Sequence, residues 1–450
     1  ISQFAYGQWT NTEKEQLAER AQALLEQAID LKDFVGVASG VAQNGTLIWK
    51  GGAGWSDRKN EVSADGDMLH RTASISKPMT AVAILQLMEK GKLDLDVPIQ
   101  TYLPEFPKKP EGEITTRHLL QNISGIKPYK NRREGTPKKH YSSLLDAIAT
   151  FQDRDLAFSP GTDYLYTTYG YVILGAIIEK VSGQSYAEYM QDNIWLKANM
   201  KNTSLEIKDQ AYENKAKLYH KLKNIFVAAP KTDLSLKYPG GGIQSTVEDL
   251  LNFGHAILNH QLISAETFEM MINDSGMKKQ GNLYGMGWFL YGEHPEYGQV
   301  IGHSGSQSGT STQLMILLDQ GIVAATLSNT SGVWGNVFNV NKSIYTLAAS
   351  KAKLVEEVSQ IKTLPTNLLK RYEGEYQFED GKIITIDKKD GHLLSKANHR
   401  PDFPLYPQSE ERFFFRNMDA IYEFEFNDEQ EVIGATFKAG ETVLPAKKLK

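Results

Sequence analysis

Apolar residues recur at helical spacing in several stretches of this chain. Between Asn11 and Leu31, Leu17, Ala21, Leu24, Leu25 and Ala28 share one helical face. Thr12 and Glu15 have the spacing of a capping box at its start. MTAVAILQLMEKGKL (79–93) predicts a second helix with Gly91 as its C-cap. ITTRHLLQNISGI (114–126) predicts a short capped helix, and Tyr169–Gly183 an apolar one closed by Ser182-Gly183. STVEDLLNFGHAIL (245–258) predicts an amphipathic helix, with Ser245 and Glu248 as its capping box, and a last helix is expected near Val337–Ser350.

Strand patterns flank these helices. FVGVASGVAQNGTLIWKGGAG (34–54) reads as two strands joined at Asn44-Gly45, a strong hairpin signal. MGWFLY (286–291), QLMILLD (313–319) and GIVAATLSN (321–329) predict later strands. Strands at both ends of a helical segment predict an α+β domain, an antiparallel sheet with helices, in which the early hairpin pairs with the late strands. From Tyr372 on the texture changes to short alternating runs separated by turn residues, the pattern of a small antiparallel barrel or sandwich. The boundary falls near residue 365, with a linker around Glu356–Thr366, giving domains at 1–355 and 366–450.

Composition narrows the function. A chain of 450 residues favours more than one domain, and a formal net charge of -5 offers no global basic field for nucleic acid. The pairs Lys108-Lys109 and Lys138-Lys139 read as solvated loop charges. The chain has no cysteine, which excludes disulfides, thiolate nucleophiles and thiolate metal sites. No HExxH, P-loop or GxGxxG after a strand occurs, so no cofactor is implied. The apolar run YVILGAII (171–178) is far shorter than the roughly 20 residues that span a bilayer. The chain begins at Ile1 rather than Met, which suits a processed export signal and a periplasmic or secreted location; a shortened chain would look the same, and a cytoplasmic location stays open.

One stretch carries candidate chemistry. RTASISKPMT (71–80) places Ser74 three residues before Lys77. The bare spacing is weak, because Ser56/Lys59, Ser124/Lys127, Ser275/Lys278 and Ser359/Lys362 share it. Pro78 separates this instance from the others. Its ring would clash with the carbonyl of residue 74 inside a helix, so the helix should begin at or near Ser74. Ser74 then sits at the positive end of a helix, and Lys77 lies within reach of its hydroxyl.

Downstream come FSPGTDYLYTTYGYVILGAIIEKVSGQSY (158–186), PGGGIQSTVEDLLNF (239–253) and GHSGSQSGTST (302–312). SISK at 74–77, YTT at 166–168 and HSG at 303–305 stand in the order of the three motifs of penicillin-recognising serine hydrolases. Over roughly residues 15 to 350 the chain resembles the class C β-lactamase-like branch, which includes D-aminopeptidases, D-stereospecific carboxypeptidases and esterases. Residues 402–448 are similar to the lipocalin-like C-terminal domain that some of these peptidases carry. The resemblance implies Ser74 as acylated nucleophile, with Lys77 and Tyr166 as its proton-handling partners. It implies the main-chain amides of Ser74 and Ser306 as oxyanion hole, and Thr168, His303 and Gly305 as substrate-binding residues.

Two positions depart from the pattern. Thr168 stands where asparagine is usual and offers one short hydroxyl instead of an amide. His303 stands where lactamases have lysine, and a largely neutral imidazole is a poor partner for a substrate carboxylate. The expected reaction is hydrolysis of an amide or ester, foremost in a peptide containing D-amino acids. A promiscuous esterase, a weak β-lactamase, and a non-catalytic binding or filament-forming protein are the alternatives, with homo-oligomers through the C-terminal domain as an open possibility. Tyr166 as a core aromatic, Thr168 as a helix N-cap and His303 as a backbone-satisfied strand residue are the purely structural readings.

Overall fold

The hairpin at Asn44-Gly45 opens an eight-stranded antiparallel sheet. In the computed structural model, which describes residues 8–223, 225–273, 283–294, 297–350, 362, 364–365, 367–389, 392–397, 403–415, 420–439 and 442–449, its strands are β1 (Gly36–Gln43), β2 (Thr46–Asp57), β3 (Val62–Ser63), β4 (Leu283–Tyr284), β5 (Phe289–His294), β6 (Gly298–Gln307), β7 (Thr310–Leu317) and β8 (Ile322–Ser328). They lie in the order β3-β2-β1-β8-β7-β6-β5-β4. The early hairpin joins the late strands through β1 and β8, with Val37 opposite Ser328 and Gln43 opposite Ile322. Asn44 and Gly45 have φ of 48° and 78°, the left-handed pair a two-residue hairpin turn needs. β1, β7 and β8 are buried at every residue, so both faces of the central sheet are covered.

The longest helices among the described residues are α1 (Asn11–Asp30), α2 (Ser76–Glu89), α3 (Thr168–Ser182), α4 (Val247–Leu258) and α5 (Trp334–Ala349). α4 packs across β1 and β8. α2 is buried without interruption from Ser76 to Leu87, as a helix that is apolar all round must be, and it packs on α3. The short helix expected within 114–126 spans Thr116–Leu120.

Three expected caps shift by one or two residues. α1 is capped by Thr10, whose amide donates to Glu13 at 2.6 Å while the Glu13 amide donates to the Thr10 hydroxyl at 3.2 Å. The box is thus Thr10/Glu13 instead of Thr12/Glu15. α4 is capped by Thr246, which accepts from the Asp249 amide, because Ser245 is held in a strand pair with His70. α3 is capped by Thr167, leaving Thr168 as its first helical residue. The strand expected at 286–291 is broken: Met286 to Trp288 link β4 to β5, with Gly287 at φ 92°.

The chain divides into two compact units, one running from Leu25 to Asn341 and the other comprising the described residues before Leu25 and from Lys342 on. Most of the expected linker Glu356–Thr366 lies outside the described residues. The second unit contains a closed eight-stranded antiparallel barrel, β9 (Gly374–Phe378) through β16 (Thr442–Lys448), in which β16 pairs back onto β9. Its interior is aromatic: Tyr372, Tyr376, Phe413, Phe415, Tyr422 and Phe424 are buried, and the Tyr372 ring lies 4.9 Å from both Phe413 and Phe424. Among the described residues no helix is long and apolar enough to cross a membrane.

Candidate active site

The segment before α2 begins from the sheet. Ala73–Ile75 forms a single 3₁₀ turn, and α2 follows at Ser76. The helix therefore starts two residues after Ser74, which stands in the turn leading into it. Ala73 adopts φ 49°, a left-handed conformation that costs a non-glycine residue about 1–3 kcal/mol and persists only where the surroundings over-determine it. They do. The Thr72 amide donates to Ile243 O at 3.0 Å, Thr312 Oγ1 donates to Thr72 O at 2.9 Å, and Ser76 Oγ donates to Ala73 O at 2.7 Å.

Lys77 is fully buried, and its Nζ donates to Ser74 Oγ at 3.0 Å, to Gly240 O at 2.7 Å and to Thr168 Oγ1 at 3.3 Å. No carboxylate is among these partners. Burial, and next the charge of Lys237, hold its pKa well below the ordinary lysine value. Tyr166 is half-buried and hydrogen-bonded to Ser74, and its ring centroid lies 4.9 Å from Lys77 Nζ. Burial pushes its hydroxyl well above the ordinary tyrosine value, with the Ser74 bond opposing. The two shifts run in opposite senses, towards a deprotonated amine at Lys77 and a protonated phenol at Tyr166. Ser74, Lys77 and Tyr166 come together, from two elements 91 residues apart at Lys77 and Thr168.

His303 stands where its purely structural reading puts it, as a strand residue with a backbone partner. It lies on β6 with no exposed surface, its Nδ1 2.6 Å from Ser304 O and its Nε2 3.1 Å from Tyr284 Oη. A carbonyl only accepts, so Nδ1 carries the proton and Nε2 accepts from the tyrosine. Burial, and secondarily Lys77, depress its pKa to about 3. It is a neutral, internally satisfied residue in an aromatic cluster with Tyr166, Tyr284 and Phe289. Thr168 is also more than a helix start, since its hydroxyl accepts from Lys77.

Gly305 lets two walls of the site meet. A Cβ there would lie 2.2 Å from Thr312 Oγ1 and 2.4 Å from Thr72 O, so only glycine allows β6 to press on the turn that carries Ser74. Ser306, one residue on, is exposed beside that contact. Arg71, three residues before Ser74, ties the same two walls together. It is 3% exposed, makes a bidentate pair with Glu206 at 2.8 and 2.6 Å, and donates to Ser308 O at 2.8 Å.

Four of these contributors carried no assignment from sequence: the Gly240 carbonyl, Lys237, Tyr284 and the Arg71–Glu206 pair. The PGGG run was visible, and its glycines were the available hint for Gly240. Of the other Ser-x-x-Lys pairs, Ser56 lies in β2 with Lys59 exposed, and Ser124 is buried while Lys127 is exposed. The remaining two lie outside the described residues, apart from Lys362.

Comparison with known proteins identifies the family and the fold. The Beta-lactamase family model matches residues 21–339, and a domain of unknown function (DUF3471) matches residues 359–447. The human protein "Serine beta-lactamase-like protein LACTB, mitochondrial" is 30% identical over 396 residues, covering 67% of this chain and 72% of that protein. Two solved structures share the fold. The octameric penicillin-binding protein homologue from Pyrococcus abyssi has a TM-score of 0.65 at 23% identity, covering 95% of this chain and 99% of the other. The D-amino acid amidase from Ochrobactrum anthropi SV3 has a TM-score of 0.63 at 20% identity, covering 76% and 99%. The chain belongs to the Beta-lactamase family and is a serine hydrolase.

Proposed function

We propose that this hydrolase opens an amide or ester bond through an acyl-Ser74 intermediate, foremost in peptides containing D-amino acids. The observation that carries the proposal is the buried Lys77, whose Nζ stands 3.0 Å from Ser74 Oγ with no carboxylate to hold its proton. A serine hydroxyl needs a neighbour to accept its proton, and a lysine serves only when neutral. In this mechanism Lys77 Nζ takes the Ser74 proton as Oγ attacks the substrate carbonyl. The amides of Ser74 and Ser306 bind the oxyanion. Tyr166 gives its proton to the departing nitrogen or oxygen and recovers one from Lys77. Water then attacks the acyl carbon, losing its proton to the same pair, and Ser74 is released.

His303 takes a positioning part: through Tyr284 it fixes the aromatic wall beside Tyr166. Being neutral and buried, it supplies no charge for a β-lactam carboxylate, so slow turnover of nitrocefin is expected. Thr168 and Gly305 border the substrate in this reading. The D-amino acid preference leans on the motif pattern and on the amidase whose fold the chain shares. Assembly through the barrel unit is part of the same reading, in keeping with the octameric homologue.

The test is intact mass after a fluorophosphonate, followed by rates on paired D- and L-aminoacyl p-nitroanilides and short acyl esters. A single adduct on wild type, absent from Ser74→Ala, with faster D than L turnover is the expected result. No adduct on wild type would sink the acyl-enzyme, and an L preference would sink the D-peptide assignment alone.

A further inference from the structure

Beside Ser306 lies a cavity of about 420 Å³ bordered by Lys237, Arg132, Lys221 and His220, together with Ser306 and Ser308. Among the described residues no aspartate or glutamate lines it. It shares Arg132, Thr136 and Ser308 with an adjoining cavity of about 880 Å³, where Arg133, Lys138, Lys139 and Lys231 add four more cations. The one carboxylate in that wall, Glu134, is spoken for by Arg154 and by the Tyr169 hydroxyl. Among the described residues seven lysines and arginines therefore line the two cavities beside one neutralised acid, with Lys231 paired outward to Asp209 at 2.9 Å, in a chain that carries 54 acidic against 49 basic residues. The charge of this wall runs against the charge of the whole protein.

Lys237 makes the arrangement unlike a solvated rim. It is 5% exposed, its Nζ donates to Gly135 O at 2.7 Å, and the nearby Glu206 is engaged by Arg71 and Lys215. A buried ammonium without a counter-ion is costly, and the protein leaves that cost in place beside an open cavity. Its pKa falls to about 7, from burial and then from Arg71. Arg132 reaches into the same space, with Nη2 3.5 Å from His220 Nε2, while Lys221 is partly engaged by Asp33 at 3.7 Å.

We infer that this cavity is a subsite for an anionic group of the substrate, a carboxylate or comparable anion, held by Arg132 and Lys237 next to the oxyanion strand. The inference rests on the acyl-Ser74 reading and narrows its substrate class to acidic peptides or esters. It also supplies, from another element, the cation that His303 does not provide.

The test compares matched substrates on the full chain. N-succinyl against N-acetyl D-phenylalanyl p-nitroanilide puts the anion on the acyl side. The m-carboxy-p-nitroanilide against the plain p-nitroanilide puts it on the leaving group. In one of these pairs the anionic member should be favoured in kcat/KM by about tenfold or more at low salt, as a charge-assisted contact supplies. The ratio should fall towards one in Arg132→Gln and in Lys237→Met. Arg132 is exposed, so its variant keeps the test alive if the buried Lys237→Met does not fold. Equal rates within both pairs, or a preference that survives Arg132→Gln, would overturn the subsite while leaving the hydrolase reading intact. Turnover of none of the four, with no adduct at Ser74, would instead remove the acyl-enzyme on which it rests.

Discussion

Two buried lysines, Lys77 and Lys237, define two regions of one unit that use the same physics for different ends. Each donates to a main-chain carbonyl at 2.7 Å, Gly240 for one and Gly135 for the other, and each has its pKa lowered chiefly by burial. Lys77 is walled in by Ser74, Thr168 and Tyr166, so its Nζ faces the Ser74 and Thr168 hydroxyls. Lys237 faces an open cavity lined with further cations. Burial alone does not make a base. The difference lies in what each amine meets: a group that can give a proton, or space that a counter-charge can enter. The two are also coupled, because the charge on Lys237 helps strip the proton from Lys77.

The sharpest way to break the comparison is Lys77→Met. If Lys77 is the base, kcat on a p-nitrophenyl ester should fall by about a thousandfold, within the range a positioned general base contributes. Lys237→Met should cost far less on the same ester; equal losses would mean that the two regions do one job.

Glu206→Gln tests the clamp between the regions. It removes the bidentate partner of Arg71 and leaves a buried guanidinium, a loss of about 3–5 kcal/mol. A lower denaturant midpoint, and faster proteolysis near Arg71, are the expected readouts. An unchanged midpoint would show that the Ser308 carbonyl and the introduced amide hold the arginine without a carboxylate.

Lys237 should be visible in the pH dependence of stability. Unfolded, it keeps its proton up to the ordinary lysine value of 10.5; folded, only to about 7. Between those values unfolding takes up a proton, so stability rises with pH by up to about 1.4 kcal/mol per unit. Below pH 7 both states are protonated and the contribution to the slope vanishes. Denaturation of wild type and Lys237→Met across this window should differ in slope. The same variant should move the acid limb of kcat/KM to higher pH, because Lys77 keeps its proton more easily without its neighbour's charge.

The smallest effect is expected from Thr168→Val. It deletes a 3.3 Å acceptor of Lys77, worth about 1 kcal/mol, so a several-fold loss of kcat with little change in unfolding midpoint should follow. A loss as large as that of Lys77→Met would make Thr168 a full partner in proton transfer.

Local signals were legible where a feature depends on neighbours in sequence. Asn44-Gly45 turned the hairpin, and Gly183 closed α3 at φ 75°. Caps were less legible, because adjacent residues compete for the same role. Ser245 and Thr246 both fit, and only the pairing of Ser245 with His70 removes the first. β1, β7 and β8 were legible as apolar runs without period-two alternation, since strands covered on both faces have no polar side to show. The burial of Lys237 had no sequence signal at all: a lone lysine in a loop looks solvated until another segment covers it.

What the sequence by itself determined is a Ser74-x-x-Lys77 segment set at a helix start and an α+β unit followed by a barrel. These follow from short-range rules: the clash of Pro78, helical spacing, turn chemistry and alternation. Tyr166, by contrast, was singled out by the resemblance to penicillin-recognising serine hydrolases. What only the tertiary structure decided is the electrical state of the site. Whether Lys77 is a base, whether His303 is a cation, and whether Lys237 faces solvent or a cavity all depend on which distant atoms exclude water. Desolvation is a property of the enclosing fold, and no spacing along the chain encodes it.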